Sequence, residues 1–169
     1  SAMSEPDLNL HASKLAAVNA DAGHYSSFIG AGSYWHHIPA IVNSITSRGE
    51  FMTAYTPYQP EVSQGTLQAA YEFQSMVCQL TGMDVANAGM YDGSTSIAEA
   101  ALMACRVTRR DRVAILDSVS PLYRDVLDTY VQAPGLARDE ITSSNPSLPE
   151  GTACLIVQQP NFFGYMEDL

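Results

Sequence analysis

The stretch EFMTAYTPYQPEVSQG, Glu50 to Gly65, gathers two tyrosines, two glutamates and two glutamines around Pro57 and Pro60. Phenols, carboxylates and amides are the groups that bind polar ligands and move protons. The prolines rule out a helix or a central strand through them, because each removes a backbone donor and fixes φ. The segment therefore holds reactive groups on a stiffened loop, either as surface or as part of a site.

Two other stretches carry chemistry-bearing residues. MYDGSTSIAEA reads as a tight turn at Gly93 followed by the hydroxyls of Ser94, Thr95 and Ser96 at a helix start. Free N–H groups and the positive dipole end bind phosphate at such places. The plainer reading is that Asp92, Ser94 or Ser96 only caps the helix. In FIGAGSYWHH, Gly30 and Gly32 make a GxG, but no third glycine follows, so the dinucleotide fingerprint fails. His36 and His37 are adjacent and point apart on any regular element, so a shared metal is not expected. Either imidazole could serve as a general acid or base. No nucleophile motif such as GxSxG occurs.

Composition narrows the class. The chain is 46% hydrophobic and 15% charged, enough to bury a core rather than stay disordered. A net charge of −10 argues against a nucleic-acid or anionic-membrane surface. The basic run RVTRRDR, Arg106 to Arg112, falls at a helix end, where cations complement the dipole. Cys78, Cys105 and Cys154 lie far apart in apolar surroundings without a CxxC, as reduced core thiols do. No apolar run approaches a membrane span, and a cytoplasmic location is expected. Lys14 is the only lysine.

These groups need elements to position them. Leu8, Ala12, Leu15 and Ala16 recur at helical spacing, and Tyr25 to His37 reads as a loop. Ile38, Ile41, Val42 and Ile45 form a second stripe, with Pro39 in the first turn and Gly49 as the stop. Ser63 is placed to cap a long helix with Phe73, Met76, Val77 and Leu80 on one face and Gly82 after it. MDVANAG is expected to pass through a short strand, and Ser96 with Glu99 has capping-box spacing. RVAILDS reads as a buried parallel strand, Pro121 opens a helix, DEITS is a weaker strand and ACLIVQQP a strong buried one. The order predicts an α/β fold with a mostly parallel sheet and flanking helices. So short a sheet leaves an edge and a face uncovered, which implies a fragment or a chain that needs a partner. Residues 1–7 read as a tag scar and disordered lead, and 8–169 as one incomplete domain.

FIGAGSYWHHIPAIV, RGEFMTAYTPYQPEVSQGTLQAAYEFQSMVCQLTGMDVANAGMYDGSTSIAEA and PLYRDVLDTY together resemble the glycine cleavage system P-protein family. The likeness runs from about Leu8 to the end and is to the N-terminal half, subunit 1 where the enzyme is split. It implies the large domain of a fold-type-I pyridoxal-phosphate enzyme of the aspartate-aminotransferase-like fold. It also implies glycine decarboxylation, with the aminomethyl group passed to lipoyl H-protein and the cofactor as electron sink.

The cofactor needs a Schiff-base lysine, and Lys14 sits in the N-terminal helix. The resemblance therefore implies that this lysine belongs to the C-terminal half or second subunit, and that this chain alone is inactive and binds no cofactor. Ser94 and Thr95 stand at a phosphate loop that is vestigial here. Ser120 stands where the family shows histidine before the proline of PLYR, in the region where related enzymes stack a ring on the cofactor. The resemblance further implies that the loops holding His36 and His37, and Tyr55, Tyr58, Glu61 and Gln64, wall an active site shared across a subunit interface. Tyr55 and Tyr58 would donate hydrogen bonds, Glu61 would act on a proton or fix an amide, and Gln64 would hold a carboxylate. The alternative is a scaffold whose loops serve assembly alone, their aromatics acting as interface anchors.

Overall fold

The computed structural model describes residues 2–30, 35–144 and 147–168. They divide into two compact units, Ser1–Trp35 and His36–Leu169.

The first unit is built on α1 (Glu5–Ala16). Ser4 caps it, accepting from the Asp7 N–H, while Glu5 and Asp7 lie in the first turn and Lys14 in the last, each matched to the helix dipole. The helix therefore begins before Leu8 and takes in Glu5 to Asp7, which the sequence placed in a disordered lead. None of its residues is buried. Gly32, the second glycine of the GxG reading, lies outside the described residues.

The second unit holds α2 (Ala40–Thr46), α3 (Gly49–Met52), α4 (Gln64–Thr81), α5 (Gly93–Thr108), β1 (Arg112–Leu116), α6 (Pro121–Gln132), β2 (Ala137–Ile141) and β3 (Thr152–Ile156). The strands form one parallel sheet in the order β2-β1-β3, as expected of an α/β chain. Strand β1 is central, and Val113 to Leu116 are fully buried. Helix α5 packs on β3 and β1 through Ala98, Ala101 and Cys105, small residues that let backbones approach. Helix α6 lies beside β2 and against α5, contributing Leu127 and Val131. Arg112 reaches diagonally across to Asp139 with Nη1 2.7 and 2.8 Å from the two carboxylate oxygens, tying β1 to β2. Burial pushes the Cys105 and Cys154 thiols up, so neither is an activated nucleophile.

Several boundaries differ from the sequence reading, each for a local reason. Asp92, not Ser96, caps α5: its extended backbone frees its carboxylate to accept the Thr95 N–H at 2.8 Å. Met83 to Met90 form no strand, since they pair with no neighbour among the described residues and are held by side chains, Gln74 donating to the Ala86 carbonyl at 2.7 Å. Ser63 precedes α4 without a side-chain cap, whereas Gly82 ends it in the left-handed region at φ 72° as foreseen. Strand β2 starts at Ala137, earlier than DEITS, because Arg138 and Glu140 find ion-pair partners there. Strand β3 is half-buried rather than buried, lying at an edge of the sheet.

The amphipathic stripes of α2 and α4 find no cover among the described residues. Phe73, Met76 and Leu80 are 45%, 55% and 86% exposed, and Ile41 and Ile45 are exposed as well. A helix owes most of its stability to packing of its apolar face.

Candidate functional site

The segment after α2 folds into a more ordered loop than its prolines suggest. Gly49–Met52 closes one helical turn, α3, which Thr53 ends by donating its hydroxyl to the Gly49 carbonyl. Past Pro57 the chain turns again, the Val62 and Ser63 amides both donating to the Gln59 carbonyl at 3.1 Å. Helix α4 then begins. The two turns enclose an open depression of about 580 Å³ lined by Glu50, Tyr55, Thr56, Tyr58, Gln59 and Thr66, with Thr53, Ala54, Val62 and Ser63.

Tyr55 and Tyr58 thus share one depression, with 84% and 81% of their surfaces exposed. Glu61 and Gln64 do not join them. They line a separate depression of about 490 Å³ with Pro60, Leu67, Gln68 and Tyr71. His36 and His37 are exposed and line neither of these depressions. The expected group of six is therefore split by this chain into two phenols, a carboxylate–amide pair, and two histidines.

Sequence reasoning passed over Glu50 as a site residue, although it sits in the same run. Its signal was weak, since the short helix that turns it toward the tyrosines has no periodicity of its own. Its carboxylate lies 4.0 Å from the Arg48 guanidinium, and both are largely exposed.

The helix start at Ser94 and Thr95 was the candidate phosphate loop. The Asp92 carboxylate accepts the Ser94 hydroxyl and the Thr95 N–H, and these two bonds, the first more than the second, hold it below the ordinary aspartate value. The Thr95 and Ser96 hydroxyls turn back to the Asp92 carbonyl at 3.2 and 2.7 Å. A phosphate here would meet a spent donor and a like charge. These residues do not fit the phosphate of pyridoxal phosphate. Ser120 is buried, and its N–H donates to Gln158 Oε1 at 2.9 Å, so it supports the loop after β3. Lys14 lies exposed on α1.

No group of three or more His, Cys, Asp or Glu suited to a metal occurs among the described residues. No described helix is long and apolar enough to cross a membrane.

The model of the family described as glycine cleavage system P-protein matches residues 1–169. The chain belongs to the glycine cleavage system P-protein family. It is 52% identical to a probable glycine dehydrogenase (decarboxylating) subunit 1 of Anoxybacillus flavithermus, covering 99% of this chain and 40% of that protein. A protein of the same name from Desulforamulus reducens is 51% identical over the same shares. This P-protein chain thus spans about 40% of the length of the curated relatives it matches. Among solved structures, it superposes on glycine decarboxylase (P-protein) of the glycine cleavage system in inhibitor-bound form with a TM-score of 0.87. That match is 43% identical and covers 99% of this chain and 39% of the other. The α/β fold with a parallel sheet is therefore that of the P-protein family, a fold-type-I pyridoxal-phosphate fold.

Proposed function

We propose that this chain forms part of a cytoplasmic glycine dehydrogenase (decarboxylating), which removes CO2 from glycine and passes the aminomethyl group to lipoyl H-protein. Pyridoxal phosphate is held in the complete enzyme by a lysine outside this chain, on a second subunit or C-terminal half. The chain alone is inactive, and its assembly with that partner is oligomeric. Two observations support the cofactor's placement elsewhere: Lys14 stands alone on an N-terminal helix, and the α5 cap is filled by Asp92.

The contribution of this chain is a wall of the shared site. The observation that carries this is the loop from Glu50 to Gly65, where the Tyr55 and Tyr58 phenols open on one depression and are exposed. Phenols without a hydrogen-bond partner among the described residues, on a loop stiffened by Pro57 and Pro60, donate to a polar ligand at little reorganisation cost. Glu61 holds or moves a proton and Gln64 binds a carboxylate in the other depression, and His36 and His37 supply imidazole from their own loop. Reconstituting the complete enzyme with Tyr55→Phe, Tyr58→Phe or Glu61→Gln tests the wall. Glycine–CO2 exchange should fall while assembly is retained.

A scaffold role is the second reading, favoured by the uncovered stripe of Phe73, Met76 and Leu80 on α4. Full exchange by all three loop variants in an intact assembly would establish it in place of the first.

A further inference from the structure

The strand order β2-β1-β3 sends the chain leaving β1 through α6 to one side of the sheet, while β3 lies on the other. Open parallel sheets bind ligands in the crevice outside the carboxyl ends of two such strands. Here Ser118 follows β1 and Asn161 follows β3, and they are 3% and 5% exposed. The two connections are joined there by the Phe162 N–H donating to the Ser118 carbonyl at 2.9 Å.

The junction of the two connections is furnished for an anion. Asn161 Oδ1 accepts the Phe163 and Tyr165 N–H groups at 3.0 and 2.9 Å, which fixes the amide and aims Nδ2 outward. That Nδ2 donates to Glu167 Oε1 at 2.7 Å, and the Ser118 hydroxyl donates to the same oxygen. Two buried, oriented, neutral donors thus converge on one carboxylate oxygen. Neither is charged, and Asp117 stands nearby, so the pair suits a singly charged group better than phosphate. The Glu167 backbone carbonyl also accepts from Gln159 Nε2 at 3.2 Å, which draws the carboxylate's own segment over the crevice.

We propose that Ser118 and Asn161 form a carboxylate-binding site at the carboxyl ends of β1 and β3, and that Glu167 is its tethered occupant. A small free carboxylate takes the site when Glu167 is withdrawn. The inference rests on these hydrogen bonds and the burial of their donors, and is independent of the proposed decarboxylation. The donors also hold Glu167 below the ordinary glutamate value of 4.5, Asn161 contributing more than Ser118.

Chemical rescue tests it on the chain as it stands. Glu167→Ala should melt lower than the parent in sodium chloride. Sodium acetate at matched ionic strength and ten times its Kd should raise the variant by about 3–6 °C. The parent, its site filled, should not respond, and Ser118→Ala in the Glu167→Ala background should lose the response. Acetate that raises parent and variant alike, or neither, overturns the proposal. If Glu167→Ala does not fold, the Asn161 side-chain amide resonances of the parent decide the matter. They should shift as Glu167 titrates below 4.5 and stay still in Glu167→Gln. Resonances that ignore pH in the parent overturn it.

Discussion

Tyr58 and Glu61 open onto different depressions of the same loop, Tyr58 with Tyr55 and Glu50, Glu61 with Gln64 and Tyr71. The turn from Gln59 to Val62, with Pro60 and Glu61 at its centre, carries the chain from one to the other. Side chains that meet the same ligand group couple, whereas those without a shared partner act additively. In the complete enzyme, Tyr55→Phe and Tyr58→Phe should therefore be non-additive in kcat/KM by about 0.5–3 kcal/mol. Tyr58→Phe with Glu61→Gln should add within about 0.5 kcal/mol. Strong coupling in the second pair would mean that one ligand spans both depressions.

What the residues disclosed in advance follows from where the information is stored. Strand β1 was legible because VAIL, Val113 to Leu116, is a short unbroken apolar run, as suits a strand buried on both faces. Pro121 marked the start of α6 and Gly82 the end of α4 through backbone geometry that few residues share. The α5 cap was left open because Asp92, Ser94 and Ser96 are all competent cap residues, and the backbone at Asp92 decides among them. The loop was legible by composition as a stiffened polar and aromatic stretch, yet its division at Pro60 was not, since side-chain direction in irregular backbone has no period. Asn161 and Glu167 escaped for the same reason. Ser118, which shares the Glu167 carboxylate with Asn161, is distant in sequence and comes near only through the sheet.

Gly93 is required for space, not for a positive φ. A Cβ there would stand 3.1 Å from the Tyr123 hydroxyl and 3.4 Å from its Cζ. Gly93→Ala would force the Tyr123 ring to move where α5 meets α6. Against the usual gain of alanine in a helix, the overpacking should leave a net loss of about 1 kcal/mol. Tyr123→Phe removes the closest atom and should restore most of that loss, as read from urea midpoints. Equal losses in the presence and absence of the hydroxyl would place the strain elsewhere.

The Asp92 cap should be visible in the acid limb. Its carboxylate is held below the ordinary value of 3.8, first by the Ser94 hydroxyl and then by the Thr95 N–H. A depressed folded value means stability that is fully present above 3.8 and is lost as the pH falls through the lower folded value. Asp92→Asn keeps a capping oxygen but does not titrate. The stability difference between parent and Asp92→Asn should be flat at neutral pH and should move toward the variant's favour only below 3.8. Thermal melts of the two proteins across that range measure it, and a constant difference down to the acid transition would contradict the assignment.

Arg109 ends α5 in the left-handed region at φ 56°, a conformation that costs an L-residue about 1–2 kcal/mol. Glycine takes that conformation freely but loses more chain entropy on folding, about 0.5–1 kcal/mol. Arg109→Gly should therefore stabilise the chain by about 0.5–1 kcal/mol, with a higher urea midpoint and an unchanged slope. Arg109→Ala keeps the strain and should bring no such gain. Gly82 supplies the converse at the end of α4, where φ is 72° and nothing stands within 4 Å of an added Cβ. Gly82→Ala should then lose about 1 kcal/mol from backbone strain alone. If Arg109→Ala stabilises as much as Arg109→Gly, the relief comes from spreading the positive charge shared with Arg106 and Arg110, and the left-handed backbone is not the source.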